Sequence, residues 1–366
     1  MRDLLDSLDR WHTDGRRAAV ARVVRVAGSA PRDPGAAMAV SDDGEIVGSV
    51  SGGCVEAAVV EAAEESLRSG TGALLSFGYS DADAFSVGLT CGGTVELFVE
   101  PFDWDRSVVT ALRTSLETGR PVALATVVGG PGTGAKLLLP DSAPAIGGLG
   151  DVGLDAAVAR DAVGDLAAGT TRLRHYGRRG ETLGEDVAVF IESFVPPPHM
   201  VIFGAIDFTA ALVRVADVLG FRVTVCDART AFATQTRFPL ADEVVAEWPQ
   251  RFLGRIGETL TERDAVCVLT HDPKFDVPAI VSALATDVGY IGVMGSRRTH
   301  DDRTARLVEA GVTAEDLARL HSPIGLDLGA RTPEETAISI CAEIIAARSG
   351  REQMRPLSQI EGPIHG

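Results

Sequence analysis

The sequence predicts an α/β protein in two parts: a duplicated α+β unit, followed by a doubly wound parallel sheet. Three observations carry that expectation. A segment of the first half recurs at a constant offset, a run of three prolines ends the repeat, and beyond it apolar strands alternate with amphipathic helices. The repeat is read from Gly35-Ala36-Ala37-Met38-Ala39-Val40-Ser41-Asp42, which returns as Gly134-Ala135-Lys136-Leu137-Leu138-Leu139-Pro140-Asp141. Gly48 and Glu56-Ala57-Ala58-Val59 return as Gly147 and Asp155-Ala156-Ala157-Val158, at the same offset (134 − 35 = 147 − 48 = 155 − 56 = 99). Thr94–Phe102 likewise parallels Asp186–Phe194. Each copy, at about 20–102 and 121–194, therefore reads as strands, a helix and a closing strand, with a further helix candidate over 4–17.

Val195-Pro196-Pro197-Pro198 can continue neither a helix nor a central strand, which makes it a linker. It divides the chain into 1–195, a second domain at 196–350 and an expected flexible tail at 351–366. Past the prolines, Val201-Ile202-Phe203 reads as a strand ending at Gly204. A helix over 207–219 has Phe208, Ala211, Leu212, Val215 and Leu219 on one face. Strands follow at 221–225, 265–269 and 290–294. Thr332-Pro333-Glu334-Glu335 supplies an N-cap, an N1 proline and a capping-box glutamate for the last helix.

Composition narrows the function classes. A net charge of −17 over 366 residues opposes general nucleic-acid or anionic-membrane binding, which needs a basic field. The N-terminus breaks its apolar run with Asp3 and Asp6, and no stretch approaches the ~18 apolar residues of a spanning helix. Cysteines 54, 91, 226, 267 and 341 are odd in number, widely spaced and without a CxxC pair. That pattern suits a reducing cytoplasm rather than a disulfide scaffold or structural zinc, and it leaves any metal ligands unknown.

Candidate site residues fall in loops. Gly204 and Asp227 stand where a Rossmann-like dinucleotide fold needs its first turn glycine and its ribose acid. The second glycine is replaced by Ile206, however. Asp207 then begins the helix, where a carboxylate caps the N–H groups itself and repels a diphosphate. NAD(P) or FAD binding by an oxidoreductase is thus the alternative rather than the leading reading. Gly292, Gly295, Ser296 and Arg297 close a later strand and offer backbone approach and positive charge to an anion; the plain alternative is a solvated helix start. His271 is a candidate for proton transfer, or simply a turn histidine. Cys54, after Gly52-Gly53 and at a helix start, is a reactive-thiol candidate, because helix N–H groups lower a thiol from its reference pKa of ~8.5. Cys91, flanked by Gly92-Gly93, is its companion; the plain alternative for both is packing, as expected for Cys226, Cys267 and Cys341. Arg32 is the sole fixed cation of the Gly28–Gly35 loop and is either a ligand contact or a loop ion pair. Gly129–Lys136 lacks the Gly-Lys-Ser/Thr end of a phosphate loop and reads as a hairpin.

Several of these motifs in one order resemble the XdhC/CoxI family: Gly28-Ser29-Ala30-Pro31-Arg32 with Gly35, Ser51-Gly52-Gly53-Cys54-Val55-Glu56, Leu89-Thr90-Cys91-Gly92-Gly93, Leu269-Thr270-His271-Asp272, Tyr290–Arg297, and Pro323–Ala330 with Thr332–Glu335. The resemblance runs from about residue 15 to 347. It implies a cytoplasmic, often dimeric accessory factor that binds molybdenum cofactor, supports its sulfuration by a cysteine desulfurase and inserts it into an apo-hydroxylase of the xanthine dehydrogenase type. Such a factor presents a cofactor as cargo and need not turn anything over. Relatives commonly carry Gly-Ala-Gly-His at the first Rossmann turn, whereas this chain has Gly204-Ala205-Ile206-Asp207. A third reading is a purely structural partner protein with a vestigial site.

Overall fold

The computed structural model describes residues 4–28, 32–78, 93–102, 106–141, 143–351 and 354–360. Cys91, with Thr90 and Gly92, lies outside them. The chain forms two compact units, Met1–Pro196 with Leu357–Gly366, and Pro197–Pro356.

The first unit runs α1 (Leu5–Thr13), β1 (Ala18–Ala27), β2 (Ala37–Ser41), β3 (Ile46–Gly48), α2 (Glu56–Ser69), β4 (Ala73–Phe77) and β5 (Thr94–Pro101). It then repeats as α3 (Arg106–Glu117), β6 (Val122–Gly129), β7 (Lys136–Pro140), β8 (Ile146–Gly148), α4 (Val152–Ala168), β9 (Arg172–Tyr176) and β10 (Val187–Phe194). The sheet orders match, β3-β2-β1-β5-β4 and β8-β7-β6-β10-β9. The repeat thus starts one helix earlier than the strand pattern shows, at α1 and α3.

Its registers also match: Met38 faces Gly48 as Leu137 faces Gly147. Ala18 faces Ser41 and Val122 faces Pro140, so the first strand is offset by 122 − 18 = 104. The difference, 104 − 99 = 5, means that copy one carries five extra residues between its first two strands, in the loop that holds Arg32. Both copies interrupt the pairing of the first and last strands at an equivalent residue, Val24 and Val128. These two valines pack with Phe98 and Phe190 in one small cluster.

Strand alternation then decides what faces what. Ala19, Ala21 and Val23 of β1 pack with Val59 and Ala63 of α2, while Ala18 and Val20 share a core with Val122 and Leu124 of β6 and with residues of α1 and α3. Arg22 is the next residue on that second face and is fully buried. Its Nη1 donates to Glu192 Oε2 at 2.6 Å and its Nη2 to Glu100, while Lys136 Nζ donates to the other oxygen of Glu100 at 2.7 Å. Glu100 and Glu192 are equivalent positions of the two copies. Arg22 aligns with Thr126, whose Oγ1 is 3.4 Å from Arg22 Nη1. The copies are therefore joined by two repeated acids and by cations that each copy places on a different strand. Burial pushes the Arg22 guanidinium down in pKa, but the two carboxylates outweigh it and hold it above its ordinary value. Lys136, the residue that gives the Gly129–Lys136 hairpin its likeness to a phosphate loop, is committed to this cluster.

The second unit is α/β: β11 (His199–Phe203), α5 (Asp207–Val218), β12 (Arg222–Cys226), β13 (Glu243–Val245), α6 (Pro249–Ile256), β14 (Ala265–Val268), α7 (Pro273–Leu284), β15 (Tyr290–Val293), α8 (Arg297–Glu309), α9 (Ala314–Ala318), β16 (Leu320–His321) and α10 (Pro333–Arg348). Its parallel sheet has the order β13-β12-β11-β14-β15-β16, the doubly wound Rossmann order 3-2-1-4-5-6. Met200 and Ile202 of β11 face a core with α5 and α10, and Val201 and Phe203 face one with α6 and α7. Burial on both faces is why these strands read as continuous apolar runs. The capping box of Thr332 and Glu335 starts α10 as its sequence predicts. Among the described residues no helix is long and apolar enough to cross a membrane.

Candidate functional site

Ligands of an open parallel sheet bind beyond the carboxyl ends of its strands, at the point where strand order reverses, here between β11 and β14. Gly204 ends β11 with φ +113°, and a Cβ there would lie 2.8 Å from Thr270 Cγ2, so only glycine lets the two strand ends approach. The helix after it is capped differently from expectation. Ile206 is the N-cap residue and gives no side-chain cap, while Asp207 is already the first helical residue and points outward, its side chain 92% exposed and 4.0 Å from Arg237. Its charge still adjoins the helix start, where it opposes a diphosphate.

Asp227 is saturated by its own chain. Oδ2 accepts from Ala205 N at 2.8 Å and Arg229 Nη2 at 2.7 Å, and Oδ1 accepts from Arg229 N and Nε, both at 2.9 Å. Burial raises its carboxyl pKa, but these bonds outweigh burial and hold it below the ordinary value. No acceptor position is left over for a ribose hydroxyl.

A cleft of about 330 Å³ opens over these strand ends. Phe208, Met294 and Ile324 give it an apolar side, and His271, Gly295, Ser296 and Thr336 a polar one. The structure brings His271, Gly295 and Ser296 together as sequence places them. Ser296 caps α8, its Oγ accepting from Thr299 N at 3.2 Å, and Arg297 follows on the exposed surface. Gly292 has a different reason to be glycine: it is buried inside β15, and a Cβ would lie 2.3 Å from Ile324 Cδ1 and 2.7 Å from Tyr290 Cε1.

Sequence reasoning missed what lies behind this cleft. Asp276 of α7 accepts from Thr270 Oγ1, and its other oxygen accepts from Arg303 Nη2 of α8 at 3.0 Å; the same Nη2 donates to Met294 O at 2.9 Å. Asp276 and Arg303 are 3% and 4% exposed. Burial pushes the Asp276 carboxyl up although Thr270 and Arg303 pull it down. The available signal was charge on the buried faces of two otherwise amphipathic helices.

In the first unit, the Cys54 loop is organised by Glu56. Glu56 Oε1 accepts from Ser49 Oγ at 2.8 Å and Ser51 N at 3.0 Å; Oε2 accepts from Ser51 Oγ, from Gly53 N at 2.8 Å and from Val55 N at 3.2 Å. Ser51 Oγ in turn accepts from Cys54 N and Val55 N, both at 3.0 Å. The donors at this helix start are therefore already committed to Glu56 and Ser51. Gly52 and Gly53 take φ of +72° and +117° with open space beside them, and half-buried Cys54 packs against the Val55 and Val59 core. Copy two keeps the carboxylate, Asp155 accepting from Leu149 N at 2.7 Å, without the serines or the cysteine. Arg32 is exposed in the longer loop. Cys226, Cys267 and Cys341 are buried, and burial pushes Cys226 and Cys341 up to about 12 and Cys267 well above its ordinary value, as packing residues require. Among the described residues no cluster of three or more histidine, cysteine or acidic side chains could hold a metal ion.

Glu56 makes this loop sensitive to pH. Burial raises its pKa, but the hydrogen bonds from Ser51 and Ser49 and the loop N–H groups lower it to about 2. A depressed folded-state value stabilises above the unfolded carboxylate value of ~4.3 and is lost as pH falls toward the folded one. The protection of amides 49–56, taken as their exchange relative to the intrinsic rate at each pH, is therefore expected to fall between about pH 4.5 and 2. Glu56→Gln should remove that dependence and show fast exchange already at pH 7. Equal exchange in both proteins across the range would refute it.

Fold and site define a protein built from a duplicated α+β unit and a Rossmann-type domain, with an open cleft at the latter's strand ends. Two family models cover it: "XdhC and CoxI family" over residues 11–78 and 115–177, one stretch in each copy, and "XdhC Rossmann domain" over 200–344. The chain belongs to the XdhC/CoxI family. It is 29% identical to a probable xanthine dehydrogenase subunit of Bacillus subtilis over 93% of this chain and 96% of that one. It is 25% identical to the "Molybdenum cofactor insertion chaperone PaoD" of Escherichia coli over 93% and 86%. A crystal structure described as a xanthine dehydrogenase from Bacillus halodurans superposes with a TM-score of 0.68 at 26% identity, covering 97% of this chain and 98% of that chain.

Proposed function

We propose that this protein is a maturation factor that carries molybdenum cofactor, supports its sulfuration and delivers it to an apo-hydroxylase of the xanthine dehydrogenase type. The observation that carries this reading is the likeness, along nearly the whole chain, to an insertion chaperone for that cofactor. The chemistry of the cleft supports it. Molybdopterin is a flat pterin with a phosphate and a metal-bearing dithiolene, and the Phe208–Met294–Ile324 side suits the flat body while Gly295, Ser296 and His271 supply polar contacts, with Arg297 next in the chain on the exposed start of α8. Cys54 is the candidate for sulfur chemistry in the first unit, with a cysteine desulfurase as sulfur donor and a homodimer as the working form. The NAD(P) or FAD alternative loses its ribose acceptor to Arg229 and Ala205.

Calorimetry of the full chain with purified molybdenum cofactor, and separately with NAD(H) and FAD, tests the reading. Binding of the cofactor is expected, with no heat from either nucleotide; nucleotide binding alone would overturn it. In a coupled assay, activation of a co-expressed apo-hydroxylase should fall with Cys54→Ser. Unchanged activation would remove Cys54 from the scheme.

A further inference from the structure

A recess of about 60 Å³ lies between α7 and α8, walled by Arg303, Arg306, Thr299 and His271, with Asp276 and Asp302. We propose that it seats a phosphate or comparable oxyanion of the ligand, with Arg303 Nη1 as the buried donor.

The argument starts from that nitrogen. Nη2 of Arg303 is occupied by Asp276 and Met294, but Nη1 is buried and has no hydrogen-bond partner among the described residues. A buried guanidinium N–H is too costly to leave unmade, so the recess takes in a group that accepts from it. The recess is polar and roomy enough for water or a small oxyanion. The donors favour the oxyanion: Asp276 is already committed to Arg303 and Thr270, and although Asp302 at the exposed mouth offsets the Arg306 charge, Arg303 Nη1, Arg306 and Thr299 can all donate into the one recess.

The recess and the cleft share His271 as a wall. They also adjoin at Gly295, which lines the cleft and where a Cβ would lie 3.4 Å from Arg303 Nη1 and 3.3 Å from Thr299 Cβ, so the donor sits close behind the cleft wall. One ligand can thus lay a flat apolar body against Phe208 and Met294 and reach the recess with its oxyanion. The class defined is a phosphorylated planar heterocycle. The heterocycle rests on the cargo reading above; the oxyanion seat does not. Asp276 is a positioning residue here, since it fixes the guanidinium through Nη2 and leaves Nη1 turned away.

Titration of the full chain with inorganic phosphate, read by phosphorus NMR line broadening, tests the seat. Arg303→Lys keeps a cation for Asp276 but loses the second nitrogen, and should weaken phosphate binding about tenfold. Arg306→Gln, on an exposed position that does not endanger folding, should weaken it about threefold, while Arg298→Gln, in the first turn of the same helix, stays within about twofold. No phosphate binding by the wild-type chain would mean a water-filled recess and would overturn the seat, as would equal losses in Arg298→Gln and Arg306→Gln. Molybdenum cofactor bound equally by the wild type and both recess variants would also overturn it, leaving the cargo reading intact. Phosphate behaving as expected while the cofactor fails to bind would overturn the cargo reading alone.

Discussion

Arg22→Met is expected to destabilise the first unit by about 3–5 kcal/mol, because it strips Glu100 and Glu192 of their shared cation where no water reaches them. Lys136 would remain on Glu100, so Glu192 bears most of the cost. Hydrogen exchange read peptide by peptide is the suitable measurement, since two units need not unfold as one and a single midpoint would blur them. Protection in β1, β5, β6 and β10 should fall together, with β11, β12 and β14 unaffected. A loss under about 1 kcal/mol would show that the cluster is solvated or rearranges freely. Replacing all four charges by apolar groups of similar volume should be far milder than the single change, because no charge would remain unpaired. The ions therefore define how one copy docks on the other more than they add net stability.

Asp276→Ala is the counterpart in the second unit, with an expected loss of about 3–5 kcal/mol from leaving Arg303 buried beside a vacant space. Asp276→Asn keeps an acceptor for Arg303 and should cost less than half as much. Loss of protection should centre on α7 and α8 and on the end of β14, which Thr270 ties to Asp276. Equal stability of both variants and the wild type, measured by the same exchange experiment, would refute a structural role for the pair.

Much of the fold was legible in the sequence. β11, β14 and β15 are buried on both faces, so 200–203, 265–268 and 290–293 are unbroken apolar runs that need no partner to be recognised, and in β12 only Thr224 interrupts the run that follows Arg222. Two strands escaped notice: β13 has three residues and β16 two, and both border the sheet, where little burial pressure shapes the sequence. In the site, Gly204, Gly295, Ser296 and His271 were visible because turns and caps need particular residue types. Arg303 and Asp276 were not, since a charge on a helix normally signals solvent, and only the packing of α7 on α8 turns these two inward.

The sequence by itself determined most of the elements and the duplication, through local preferences and a 99-residue spacing held from Gly35 to Val59 that survive without long-range knowledge. Tertiary structure alone decided the partners. That Arg22 meets Glu192, 170 residues away, that Asp227 is spent on Arg229 and Ala205, and that Arg303 keeps one nitrogen unused are facts of distance between strands and helices. No periodicity encodes such distances, because residues brought together by chain crossing need share nothing but complementary charge and a common buried space.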